Sequence, residues 1–112
     1  MELNEKDRLE LAKMICENFP EYSISMDCYK WDYEKGLFSF YDVEEEKRYQ
    51  VTTSKIADAI PKFFEGLNDK WFFMGVNELK TYKGIEDIAC DFDSLATDGL
   101  LQLALFDDIV YG

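Results

Sequence analysis

A chain of 112 residues, 47% apolar and 16% aromatic, is sized for one core and too hydrophobic to stay disordered. Its 12 basic against 24 acidic residues leave a net charge of -12, and the scattered basic residues stop at Lys83, which argues against direct binding to nucleic-acid phosphates. No run approaches the roughly 20 apolar residues of a membrane span, and the N-terminus lacks the basic-then-apolar order of a signal peptide, so a cytoplasmic protein folded as one domain over 1–112 is expected.

In chain order, Asn4 caps a first helix with Asp7 in the capping-box position, and Leu11, Ala12, Ile15, Cys16 and Phe19 give it an apolar stripe that Pro20 ends. Tyr22, Ile24, Met26 and Cys28 alternate with polar residues as a strand with one buried face, a pattern compatible with continuing in changed phase through Trp31, and 32–36 reads as a turn. Leu37 to Leu67 is the stretch on which the fold is organised. It holds a strand from Leu37 to Val43 that looks apolar on both faces, a turn of Glu44, Glu45, Glu46 and Lys47, and a shorter strand from Arg48 to Thr52. A helix capped by Thr53 or Ser54 follows, striped by Ile56, Ala59, Ile60, Phe63, Phe64 and Leu67. Pro61 predicts a kink or a restart in it, and Asn68 and Asp69 close it.

Trp71 to Val76 is compatible with a strand or with the start of a helix. Gly84 opens a short helix carrying Ile85, Ile88, Ala89 and Phe92, and Ser94 caps a last one with Leu95, Leu100, Leu103 and Ala104. Gly99 inside that helix predicts a close backbone or ring, Asp107 and Asp108 run against the helix dipole, and 109–111 is either a strand or a pinned tail. The expected class is α+β: an antiparallel meander of about three strands packed against N-terminal, middle and C-terminal helices, with a helical bundle as the alternative.

The absence of histidine removes the commonest general base and zinc ligand together. Cys16, Cys28 and Cys90 are odd in number and far apart, which predicts reduced, buried thiols rather than a disulfide framework. The glycines never cluster into a phosphate loop, so no cofactor is expected. Two carboxylate groups, Asp42 with Glu44–Glu46 and Asp87, Asp91 with Asp93, lack the spacing of a calcium loop and read as solvated turns and helix ends, not a metal site.

Binding features remain. Tyr29, Trp31, Tyr33 and Tyr41 gather around the first hairpin among acidic residues, and Glu86, Asp87, Asp91 and Asp93 form a C-terminal acidic face with no later basic residue. Together they suit a basic protein partner. The same aromatic pattern also fits a strand face packed under a helix, and the same carboxylates a surface that only keeps the chain soluble.

The ending Asp98 to Gly112, Asp-Gly-Leu-Leu-Gln-Leu-Ala-Leu-Phe-Asp-Asp-Ile-Val-Tyr-Gly, resembles the ends of small uncharacterised proteins of bacteria and their mobile elements. The resemblance is confined to this C-terminal stretch and implies a bacterial or phage setting, with no catalytic motif. The expected function is a non-enzymatic interaction module: an inhibitor, an immunity-type partner or a mobile-element accessory. A structural homo-oligomer, with a second copy as partner, and a carboxylate- or metal-dependent enzyme are the alternatives.

Overall fold

The structure, a computed structural model, describes residues 1–67, 69–71 and 74–111. Asn4 starts α1 (Glu5–Cys16) with the expected reciprocal cap: its Oδ1 accepts from the Asp7 amide at 2.8 Å, and the Asp7 carboxylate accepts from the Asn4 amide. Two donors that a first helical turn leaves free are thereby satisfied. The helix stops well before Pro20. Phe19–Tyr22 forms a separate turn, α2, with Pro20 near its start, where a missing N–H costs little. Phe19 is therefore delivered to the core by α2, beside Leu11, Ile15 and Cys16 from α1.

The strand expected from Tyr22 begins only at Asp27. β1 is Asp27–Asp32, and the preceding bend exists because the Ile24 and Ser25 amides donate to the Asp98 carboxylate, at 2.9 and 3.0 Å, rather than to a neighbouring strand. β2 (Leu37–Asp42) and β3 (Lys47–Thr52) complete an antiparallel sheet in the order β1-β2-β3, so the fold is α+β. Phe38 and Phe40 face the core, and the Phe19 ring meets both edge-on with centroids 5.2 and 5.5 Å away. The other face of β2 is not covered as expected. Leu37 and Tyr41 are half-buried there, the flanking Lys30, Arg48 and Gln50 are exposed, and Val43 lies beyond the strand in solvent.

Gly36 closes the first hairpin with φ +60°, a conformation that L side chains rarely adopt, and a Cβ there would fall 2.6 Å from the Thr53 hydroxyl. Its carbonyl accepts from the Thr53 amide at 2.9 Å, which fixes where α3 (Thr53–Gly66) leaves the sheet. The cap is Thr52, one residue earlier than expected, and its hydroxyl accepts from the Lys55 amide at 3.2 Å. α3 runs through Pro61 as one helix and buries Ile56, Ala59, Ile60 and Phe63. Asn68 lies outside the described residues, and so do Phe72 and Phe73. The described part of 71–76 is neither strand nor helix. It folds back on the end of α3: the Trp71 indole donates to the Phe63 carbonyl at 2.6 Å, and the Trp71 amide donates to the Gly66 carbonyl.

After a 3-10 turn at Leu79–Thr81 come α4 (Ile85–Asp91) and α5 (Ser94–Phe106), the latter capped by Asp93 rather than Ser94. Every α5 residue from Ala96 to Ala104 is buried, so the helix has a covered girth and not a stripe, packed against α2, α3 and β3. The close neighbour of Gly99 is the flexible end of Met74, not backbone or a ring. Asp107 ends α5 in the left-handed region, and Lys62 answers its unfavourable charge with an ion pair at 2.6 Å to Oδ1 and a hydrogen bond to its carbonyl. No helix among the described residues is long and apolar enough to cross a membrane.

Candidate functional site

The four hairpin aromatics separate into two pairs, and a β-bulge between Cys28 and Lys30 is the cause. One extra residue in β1 reverses the alternation that would have set Tyr29 and Trp31 on the same face. Tyr29 consequently stands on the open face with Tyr41 and Asp27, the Arg48 guanidinium 5.9 Å from its ring centroid. Trp31 pairs with Phe38 on the core side, at the sheet edge, where it is 45% exposed.

Tyr33 joins Trp31 rather than the open face. Its ring meets Phe38 edge-on at 5.9 Å, and its hydroxyl donates to the Glu17 carbonyl at 3.1 Å. Desolvation first, then the neighbouring Cys28, Glu17 and Glu21, raise its pKa above the ordinary tyrosine value. The end of α1 and the turn of α2 thus bring two carboxylates to an edge where two large aromatic rings remain exposed.

The C-terminal carboxylates also divide. Glu86 and Asp87 are exposed in the first turn of α4, where the helix dipole favours them. Asp91 and Asp93 are not the unpartnered surface charges expected. Asp91 accepts from the Tyr82 hydroxyl at 2.7 Å, a bond that, after burial, pushes Tyr82 up to about 12, and Asp93 accepts from the Ala96 amide at 2.9 Å to start α5. Nor do the carboxylates gather for a metal: among the described residues no three Cys, Asp or Glu side chains converge closely enough to hold one. Asp42 instead accepts from the Tyr111 hydroxyl at 2.5 Å and from the Glu44 and Glu45 amides. The thiols differ from expectation as well. Cys16 is buried, with its pKa pushed up to about 12 chiefly by desolvation, while Cys28 is half-buried and Cys90 is exposed.

A cleft of about 400 Å³ between the Ile24–Ser25 bend, α5 and the tail was not anticipated from the sequence. Asp98 and Gln102, one helical turn apart, build its floor. Asp98 Oδ1 accepts from the Ile24 amide, the Ser25 amide and the Ser25 hydroxyl, and Oδ2 accepts from Gln102 Nε2 at 2.9 Å. Gln102 Oε1 in turn accepts from the Val110 and Tyr111 amides, both at 2.8 Å. The tail is pinned, not paired as a strand. The signal available in the sequence was an Asp and a Gln four residues apart in a mostly apolar helix, a spacing that puts both on one face. Compared with protein-family models, curated proteins and solved structures, the chain matches none.

Proposed function

We propose that the chain is a non-catalytic protein-interaction module, acting in a reducing compartment such as the cytoplasm, that binds a basic protein through Trp31 and Tyr33. The observation that carries this reading is the edge itself: two exposed aromatic rings, 45% and 51% accessible, with Tyr33 in the field of Glu17 and Glu21. Tyr and Trp supply large contact area for little lost side-chain entropy, and carboxylates around them favour lysine and arginine on the partner. A net charge of -12 adds long-range attraction to a basic surface. Glu86 and Asp87 are the remaining free carboxylates of the acidic C-terminal face and add to that field.

The test is to isolate the bound protein from cells producing the chain and to measure its affinity at low and high salt. Trp31→Ala is expected to weaken binding by about tenfold or more, as loss of a central aromatic anchor does. Glu17→Gln with Glu21→Gln is expected to slow association and flatten its salt dependence. Equal affinity in every arm, or light scattering that finds only copies of the chain associating with one another, overturns the proposal in favour of self-assembly.

A further inference from the structure

We propose that the cleft beside α5 binds an aliphatic chain ending in an ammonium group, either a lysine side chain or a free polyamine. Its walls carry three of the exposed large apolar residues of the molecule, Ile24, Leu95 and Val110, with Met74 behind them. Such walls suit a methylene stem, which lysine side chains habitually lay along apolar surface while the charged head seeks a polar end. That end is present. Asp98 is 5% exposed, lines the cleft, and has four hydrogen bonds that all come from neutral donors.

A carboxylate offers about four acceptor sites, two on each oxygen. Three donors crowd Oδ1 while Oδ2 receives one, so Oδ2 retains a place for a further donor. No lysine or arginine is among the described residues lining the cleft. Its rim is acidic too: Glu44 lines it, and Tyr111, also in the lining, is pushed up to about 12 by its bond to Asp42 and by the fields of Asp42, Glu45 and Glu44. An anion would meet this field unfavourably, and a neutral chain without a donor would leave the further acceptor place on Oδ2 unfilled. A compact metal ion would need carboxylates that converge, which these do not.

The test titrates the full chain with hexylammonium and with hexanol, following the Gln102 side-chain amide, the Met74 methyl and the Val110 amide by NMR. Hexylammonium is expected to shift all three and to bind about tenfold more tightly than hexanol, the order of one charge-assisted hydrogen bond. Glu44→Gln, in an exposed turn, is expected to weaken hexylammonium and leave hexanol unchanged. An α-blocked lysine amide and 1,4-diaminobutane then separate the two sources by which binds more tightly. Equal binding of hexanol, or reporters that stay still, overturns the inference. Trp31→Ala should not alter these titrations, so this site and the Trp31–Tyr33 edge stand or fall separately.

Discussion

The hydroxyl of Tyr111 donates to the carboxylate of Asp42 at 2.5 Å, fastening the tail to the middle strand across 69 positions of sequence. This bond is the first cause both of the lowered pKa of Asp42 and of the rise of Tyr111 to about 12. A lowered carboxylate stabilises the fold above its unfolded value, and that contribution is lost as pH falls through the folded value. A raised phenol stabilises below its unfolded value of about 10, and loses the contribution as pH rises toward 12. The latch should hold at neutral pH and loosen at both extremes. In Tyr111→Phe, carbon-detected NMR should show Asp42 titrating closer to an ordinary carboxylate; an unmoved Asp42 would show that the bond does not form in solution.

Gly66 is held under the Trp71 indole so closely that a Cβ would overlap the ring, which its hydrogen bond to Phe63 keeps from moving away. Gly66→Ala should therefore destabilise by about 1–3 kcal/mol despite alanine's better helix propensity. A Cβ on Gly75 meets nothing within 4 Å, so Gly75→Ala should be near neutral. Urea melts of the pair, with Trp71 fluorescence as the reporter, decide it; equal midpoints would remove the claimed contact.

Gln102 is 1% exposed and satisfies Asp98, Val110 and Tyr111 at once. Gln102→Leu keeps the volume but leaves a buried carboxylate oxygen and two amides without partners, a loss of about 1–3 kcal/mol or more. Hydrogen exchange at the Val110 and Tyr111 amides should quicken before the rest of the molecule does. Protection that persists would mean another group holds the tail.

Asp93→Ala removes the cap of α5 and should cost about 1 kcal/mol, whereas Asp87→Asn, in an exposed turn, should stay within about 0.5 kcal/mol of the parent. Thermal melts at moderate salt separate them. A larger effect at Asp87 would reverse the division between structural and free carboxylates.

Phe40, fully buried and edge-on to Phe19, should lose about 3–5 kcal/mol on replacement by alanine. A change below about 1 kcal/mol in the urea midpoint would show that β2 is not the central strand.

Periodicity in the sequence was enough to locate α3, β2 and β3, because each follows its own repeat over a dozen residues or fewer. It misplaced the first strand because Ile24 and Met26 alternate like a strand while their backbone donors go to Asp98, a residue 74 positions away from Ile24 in the chain. The aromatic cluster was legible as residue types but not as an arrangement. The bulge that parts Tyr29 from Trp31 shows in the sequence only as a change of phase between Cys28 and Trp31, and which residue bulges is set by pairing with β2. Asp91 and Asp93 looked like free charges for a similar reason: a cap and a Tyr82 hydroxyl are partners that only the fold supplies.

Because every residue of α5 from Ala96 to Ala104 is buried, the helix behaves as a keystone set after the elements that grip it. As the polypeptide leaves a ribosome, α1 to α4 and the sheet emerge before Ser94–Phe106, with the surfaces of α2, α3 and β3 that will grip α5 still wet. Until then the Ile24 and Ser25 amides lack the carboxylate that bends the chain before β1. A nascent chain paused before residue 94 consequently presents sticky surface to its surroundings, and cells have chaperones to shelter intermediates of this kind.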